Sequence, residues 1–281
     1  MKHKHRMLKI VTLSVLILIG LAFGAFFTVM HLVWSFNPAN VPAITANPVE
    51  IGQVFSVSQF RSGSGHDYSY GAWDGETCRS MKHYFNYSQN NVNNQPVRSH
   101  PDPGESDIMI YAPFDGTIKS VTAEHTPIGK QVRLVSAKNQ AYYVRLFHID
   151  LLPGLKVGSK VSSGQQIGTI GPKDGTDISY EASYRFGKTI YLSIFDYMTP
   201  TAFAPYADLG KKPGDFVLSR QQADQNHYTC NGEEFTQQVS NNSTPQGYVS
   251  LRPNPYASAE QSVHNNECSL PVDQRPPGCS H

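Results

Sequence analysis

The stretch from Tyr111 to Pro172 constrains the fold more than any other part of this chain of 281 residues. It opens with Tyr-Ala-Pro-Phe-Asp-Gly-Thr-Ile, where Pro113 and the Asp115-Gly116 step indicate a turn before an apolar run. Later segments alternate between apolar and polar residues, which is the period of a half-buried strand. These segments are Gln131–Ser136, Tyr142–Ile149, Leu155–Val161 and Gln165–Ile170. Short strands separated by glycine and proline predict a mainly β fold, a compact sandwich or barrel-like domain.

The amino terminus combines a basic segment with an apolar run. Basic residues at 2–9 precede residues 10–30, which carry no charged side chain, and the apolar character extends to Trp34. About 20 apolar residues suffice to span a bilayer. The pattern predicts a single-pass anchor at residues 10–34 with a cytoplasmic amino terminus. The alternative is a cleaved signal peptide ending near Ala22-Phe23-Gly24, and both interpretations export residues 40–281.

Composition divides the chain into five predicted segments. They are a basic tip and anchor (1–36), a linker (37–50), a β domain (51–198), an extension packed on the domain (199–238) and a tail rich in Pro, Asn and Ser without fixed structure (239–281). Local patterns predict a first strand in Ile51–Phe60, a short helix or turn in Glu76–Tyr84, a surface loop in Asn86–Pro103 and a short strand or edge piece in Pro213–Arg220.

Charge and cysteine content limit the possible partners. The formal net charge of +1 gives no field that would attract nucleic acid, so no nucleic-acid partner is expected. The four cysteines have no Cys-x-x-Cys spacing, and an even number in an exported protein indicates disulfides. Cys268 and Cys279 lie close together in the tail, so we expect them to pair, leaving Cys78 for Cys230. Four cysteines allow three connectivities, and this pairing is a hypothesis.

Three sequence segments occur in the same order as in a known family. The sequence Ala112-Pro-Phe-Asp-Gly-Thr-Ile118, the Phe147-His148 step and the run Val157–Gly171 are similar to those of the lysostaphin/LytM-type zinc endopeptidases, over roughly residues 55–197. The resemblance implies the duplicated-hybrid-motif fold and a function in binding or cleaving cell-wall peptide. It also implies a zinc ion held by two His and one Asp, with two further His that handle protons.

The family's first motif, His-x-Gly-x-Asp, is aligned with residues 63–67. Asp67 then matches the ligand Asp, while Gly63 stands where the first ligand His is expected. His66 is the candidate replacement ligand. Because neighbouring side chains on an extended backbone point to opposite faces, His66 and Asp67 could share one ion only through a bulge.

The later motifs supply the remaining candidates. His148 falls on one of the two non-ligand catalytic His. The last motif, His-Leu-His-Phe-Glu, is aligned with residues 191–196, where Tyr191 replaces the other catalytic His and Ser193 replaces the last zinc ligand. Gly63, Tyr191 and Ser193 are therefore expected to line the groove. A purely structural alternative has His148 hydrogen-bonded to Asp67 or Tyr191, and Asp67 capping a turn or pairing with Arg61.

Three functions follow as hypotheses. The first is a catalytically degenerate LytM-like domain on the outer face of the cell membrane, where it binds cell-wall peptide or regulates a cell-wall hydrolase. The second is an active zinc endopeptidase that cleaves peptidoglycan cross-links with an altered ligand set. The third is a biotinyl or lipoyl carrier domain, which the absence of a suitable hairpin lysine disfavours. The ligand set favours the first hypothesis, because a Ser hydroxyl is a poor zinc ligand and two imidazoles are missing.

The anchor makes a topological prediction. A reporter enzyme fused after residue 240 should be active only outside the cytoplasm, because the basic residues hold the amino terminus inside. As the control, two reporters are fused at the same position: one that is active only in the cytoplasm and one that is active only outside it. Activity of the cytoplasmic reporter would contradict the predicted orientation.

Overall fold

The computed structural model describes residues 2–34, 37–52, 54–87, 108–124, 129–170, 175–184, 187–237 and 247–252. Helices in these ranges are α1 (Lys2–Trp34), α2 (Pro200–Ala207) and α3 (Arg220–Gln225), with 3₁₀ turns at Pro38–Asn40 and Pro213–Phe216. The strands are β1 (Val54–Ser58), β2 (His83–Tyr87), β3 (Met109–Tyr111), β4 (Gly116–Ala123), β5 (Lys130–Ser136), β6 (Tyr142–Leu151), β7 (Lys160–Val161), β8 (Gln166–Ile170), β9 (Thr176–Ser183), β10 (Thr189–Leu192), β11 (Thr229–Asn231), β12 (Glu234–Gln237) and β13 (Tyr248–Ser250).

Helix α1 is long and apolar enough to cross a membrane. Its segment Val11–Thr28 has a mean hydropathy of 2.3, and its side chains are exposed. An 18-residue helix rises about 27 Å, close to the roughly 30 Å thickness of a bilayer core. The span matches the sequence-predicted anchor.

The β domain is built on one large, mainly antiparallel sheet. Its order is β13-β1-β2-β9-β6-β5-β4-β7, with β10 added to β9, and β8 joining β3 to β6. Strand β6 changes its pairing partner along its length: residues 142–147 pair with β9, and residues 149–151 pair with β8. The core lies against one face of these strands, with Val144, Leu146, Ile178 and Tyr180 completely buried. The mainly β prediction is confirmed.

Three of the alternating segments form the expected strands, as β5, β6 and β8. The fourth, Leu155–Val161, contributes only the two residues of β7. Its chain turns at Gly158, whose φ of 92° lies in the left-handed region that glycine adopts most easily. Glycine in this position therefore shortens the strand.

The structure corrects three local expectations. Glu76–Tyr84 forms no helix: its end enters β2, because pairing with β1 and β9 outweighs helical propensity. Pro213–Phe216 is a 3₁₀ turn rather than a strand. Within the predicted tail, Tyr248–Ser250 pairs with β1, while residues 253–281 lie outside the described residues.

An aromatic cluster attaches the segment after residue 198 to the domain. Phe195 stacks on Phe216 with ring centroids 4.0 Å apart, and both rings contact Phe203 and Tyr206. All four side chains are buried. Such rings supply large apolar area and favourable edge contacts, so Phe203, Tyr206 and Phe216 of this extension belong to the domain core.

One disulfide is formed within the described residues, between Cys78 and Cys230. Their Cα atoms are 5.7 Å apart, and 152 residues separate them in sequence. It ties the loop before β2 to the β11–β12 hairpin, as the pairing hypothesis expected. Cys268 and Cys279 lie outside the described residues.

Truncating Phe216 tests the aromatic cluster. Phe216→Ala should lower the free energy of unfolding by about 3–5 kcal/mol, because it removes a fully buried ring and leaves a cavity. Denaturant unfolding of the full-length protein in detergent measures the change. Leu209→Ala is the control in the same extension, where a side chain that is 37% exposed should cost under about 1 kcal/mol. Equal effects at both positions would contradict the packing role of Phe216.

Candidate functional site

The face of β9 opposite the core carries polar side chains. Because side chains alternate along a strand, Asp177, Ser179 and Glu181 share this face while Ile178 and Tyr180 point into the core. Cross-strand neighbours complete the surface: Tyr84 and Phe147 pair with Asp177, Arg145 with Ser179, and Tyr143 and Tyr191 with Glu181. The sheet thus concentrates ionisable groups on a largely buried surface.

Lys82 places a buried ammonium group on this surface. Its Nζ lies 3.0 Å from Asp177 Oδ2, and both side chains are less than 10% exposed. The ammonium also lies 4.3–4.9 Å from the ring centroids of Tyr68, Tyr84 and Phe147. Cation–π attraction to these rings and the charge of Asp177 compensate for the water that Lys82 has lost.

His148 lies beside this ion pair at the point where β6 leaves β9 and joins β8. Its φ of 57° is in the left-handed region, which is uncommon for a non-glycine residue. The Glu124 carboxylate accepts hydrogen bonds from the His148 amide at 3.1 Å and lies 2.8 Å from Nδ1. Nε2 lies 3.5 Å from Asp177 Oδ2. The strained residue is therefore held between two carboxylates.

The charges in this cluster shift one another's pKa values. Burial alone would lower the pKa of Lys82, but Asp177 and Tyr84 together outweigh burial and raise it. Burial likewise opposes ionisation of Asp177, yet His148 and Lys82 together lower its pKa. For His148, Asp177 and Glu124 outweigh burial and raise the pKa above 6.5. Opposite charges at close range stabilise the ionised form of each group.

A second network lies farther along β9. Glu181 Oε1 accepts hydrogen bonds from the hydroxyls of Tyr68 at 3.0 Å and Ser179 at 2.6 Å, and from Arg145 Nε at 3.2 Å. Burial, and then the charge of Glu181, raise the pKa of Tyr68. Tyr68 belongs to both networks, since its ring contacts Lys82 and its hydroxyl binds Glu181.

A cavity of about 550 Å³ opens above the Lys82 cluster. The more exposed lining residues include His66 and Glu233, whereas the floor is made by the ionised cluster and Phe147. The complete lining is His66, Asp67, Tyr68, Lys82, Ala123, Glu124, Gln131, Phe147, His148, Asp177 and Glu233.

Three sequence-predicted residues meet in this cavity: His66, Asp67 and His148. Asp67 caps a turn, because its Oδ1 accepts hydrogen bonds from the Ser69 amide, the Ser69 hydroxyl and the Arg79 amide at 2.5–3.0 Å. Arg61 pairs with Glu76 instead, at 2.8 Å. His66 Nδ1 lies 3.7 Å from Glu234 in an exposed pair.

The other three predicted residues lie elsewhere. Ser193 is buried, its hydroxyl 2.9 Å from His83 Nε2. A Cβ atom on Gly63 would lie 2.4 Å from the Tyr228 ring, so this position packs against an aromatic side chain. The Tyr191 ring contacts Tyr68, and its hydroxyl donates to the Tyr70 carbonyl at 2.8 Å. None of the three is among the residues that line the cavity.

Sequence reasoning missed Lys82, Glu124 and Asp177. A signal was present for Asp177, because Asp177-Ile-Ser-Tyr-Glu181 alternates and ends in an aromatic residue and Glu, like the His-Leu-His-Phe-Glu motif that was aligned with 191–196. The strand that passes His148 is β9, so the structure favours this alignment. In it, Asp177 and Ser179 stand at the two His positions.

The cavity does not fit the zinc ion that the family resemblance implies. An ammonium group already pairs with Asp177, and the two nitrogens of His148 face carboxylates. Across the described part of the chain, no three His, Cys, Asp or Glu side chains are grouped so that they could hold a metal ion. A zinc ion would have to enter beside a buried positive charge, which repels it.

No protein-family model and no curated protein matches the chain. The solved structures found similar to it include LytM-type peptidases. A zinc-containing peptidase from Vibrio cholerae is 16% identical with a TM-score of 0.34, the match covering 53% of this chain and 39% of that one. The catalytic domain of lysostaphin from Staphylococcus simulans is 15% identical with a TM-score of 0.30 (54% and 92% covered).

The SpoIIQ–SpoIIIAH pore-forming complex is also similar, at 13% identity and a TM-score of 0.35, with 56% of this chain and 92% of the other covered. The match spans well under half the length of the Vibrio peptidase. At these values no residue role, activity or partner transfers, and the chemistry of the site follows from its own side chains.

The raised pKa of His148 predicts a pH-dependent stability contribution. Its protonated form is favoured in the folded state, so the contribution is complete below pH 6.5 and is lost as pH rises through the folded pKa. His148→Gln should therefore destabilise the protein by about 1–3 kcal/mol at pH 6 and by clearly less at pH 9. Denaturant unfolding at both pH values measures this difference.

His66→Gln is the matched control, because His66 is exposed and contacts neither Glu124 nor Asp177 within the described structure. It should leave the pH profile of stability as in the wild type. A cost of His148→Gln that stays constant from pH 6 to pH 9 would contradict the charge-paired role of this side chain.

Proposed function

We propose that this protein is a membrane-anchored domain on the outer face of the cell membrane, which binds cell-wall peptide without hydrolysing it. The observation that carries the proposal is the position of Lys82. Its ammonium pairs with Asp177 beside His148, at the centre of the cluster that forms the cavity floor. A fixed internal cation supplies neither the open coordination position nor the activated water of a zinc peptidase.

The cavity chemistry supports peptide as the ligand class. Its lining combines carboxylates, imidazoles and an ammonium with the rings of Tyr68 and Phe147. Peptides from the cell wall present amino, carboxylate and amide groups together, and such a surface can pair with each of them. A volume of about 550 Å³ lies in the range of small-ligand sites, which is about 300–1,000 Å³.

Two further features support an external location. The segment Val11–Thr28 is apolar enough to anchor the chain, and basic residues precede it. The Cys78–Cys230 disulfide is a bond that persists in oxidising compartments outside the cytoplasm. Binding would then occur where cell-wall peptide is found.

Cell-wall sedimentation and hydrolysis assays test the proposal together. Full-length protein in detergent should sediment with purified cell wall, should release no peptide, and should contain far less than one zinc per chain by elemental analysis. Glu233→Ala and His66→Ala alter the more exposed part of the cavity lining, and together should weaken sedimentation by about tenfold, equivalent to roughly 1.4 kcal/mol. Leu209→Ala, outside the cavity lining, is the control and should bind as the wild type does.

The alternative function makes the opposite prediction. If the wild type cleaves cross-linked peptides and a chelator stops the reaction, and if Asp67→Ala or His148→Ala abolishes it, the protein is a zinc endopeptidase with an altered ligand set. His66 would then be the first residue to examine as the replacement ligand. Failure to sediment with cell wall, without cleavage, would remove peptide binding from the proposal.

A further inference from the structure

The β11–β12 hairpin is separate from the large sheet. Strands Thr229–Asn231 and Glu234–Gln237 pair only with each other in the described structure. An isolated two-stranded hairpin is marginally stable in water. Its position must therefore be fixed by contacts with the rest of the domain.

Among the residues that the structure describes, few contacts fix the hairpin. The Asp67 amide donates a hydrogen bond to the Glu233 carbonyl at 2.8 Å. The Tyr228 side chain, at the base of the hairpin, is buried, lies against Gly63 and packs against Phe235 with ring centroids 5.4 Å apart. The His66–Glu234 pair is exposed and 3.7 Å apart, so it adds little. The covalent Cys78–Cys230 bond is the strongest of these connections.

The same bond joins two walls of the cavity. Cys230 belongs to the hairpin whose Glu233 lines the cavity. Cys78 precedes Arg79, whose amide binds the cavity residue Asp67, and the chain then continues to Lys82 on the floor. Cys78 is buried, whereas Cys230 is half-buried and so more accessible to a reagent.

We propose that the β11–β12 hairpin is a lid over the cavity, and that a dithiol opens it by reducing the Cys78–Cys230 disulfide. One thiolate of the dithiol attacks Cys230 and releases the Cys78 thiolate, which takes up a proton. The second thiol then displaces Cys230 from the mixed disulfide. The products are two cysteine thiols and the oxidised dithiol, so two electrons and two protons pass to the protein.

Reduction leaves the large sheet intact in this scheme. The hairpin lies outside that sheet, and within the described part of the chain it keeps few noncovalent contacts besides the packing of Tyr228. Local opening of such a segment costs less free energy than global unfolding. The cavity floor, including His148, should therefore become more accessible while the core stays closed.

Chemical labelling of histidines tests the lid without any ligand, so the outcome is independent of peptide binding. The full-length protein carrying Cys268→Ser and Cys279→Ser is compared in detergent before and after treatment with dithiothreitol, and the thiols are alkylated. Diethyl pyrocarbonate then modifies accessible imidazoles, and mass mapping locates them. We expect modification of His148 to rise several-fold on reduction. Free histidine added to the reaction reports reagent activity, and fully buried His83 reports global unfolding.

A variant with Cys78→Ser and Cys230→Ser, added to the same background, provides the matched control. It should label at His148 like the reduced protein, with or without dithiothreitol. Unchanged labelling of His148 after reduction would overturn the lid, because the hairpin would not control access. A parallel rise at His83 would also overturn it, since the disulfide would then stabilise the whole domain rather than a cover.

Discussion

The ion pair between Lys82 and Asp177 is the interaction on which the rest of the site depends. Both side chains are almost fully buried, so neither charge could be retained without the other. The three aromatic rings around the ammonium favour a cation, and His148 and Glu124 continue the series of alternating charges. Removing one member of a buried pair typically costs about 3–5 kcal/mol, because the remaining charge is left without a partner. The cavity floor is therefore a fixed arrangement of charges.

Sheet geometry explains why these charges meet on one side. Period-two alternation gives β9 an apolar face in the core and an acidic face formed by Asp177 and Glu181. The two carboxylates on this face are each paired with a cationic side chain. Arg145 of β6 pairs with Glu181, and Lys82, the residue before β2, pairs with Asp177. Tyr68 contacts both ion pairs, because its ring lies against the Lys82 ammonium and its hydroxyl donates to Glu181. The loop that carries Tyr68 is therefore held to the sheet by polar and aromatic contacts together. The loop and the sheet form one wall of the cavity.

The alternating segments predicted much of this fold, because the alternation of apolar and polar residues shows both that a segment is a strand and which of its faces is buried. The segment Tyr142–Ile149 became β6, and the Phe147-His148 step led to the residue at its bend. The Lys82–Asp177 pair could not be found in this way, because 95 positions separate the residues and only the β2–β9 pairing brings them together. The helical composition of Glu76–Tyr84 was misleading for a related reason, as its last residues are required by that pairing. Cys78 and Cys230 are farther apart still, and the hypothesis that paired them relied on the proximity of the other two cysteines.

The paired floor also determines where a ligand can gain affinity. Lys82, Asp177 and His148 already have partners, so a ligand that binds one of them must separate an existing pair. Separation in a water-poor environment is costly, and little net free energy remains for the new contact. Groups near the entrance lose less on binding, because the side chains of His66 and Glu233 are exposed to water. For the proposed peptide ligand, specificity is therefore expected at the entrance, where the proposed lid carries Glu233.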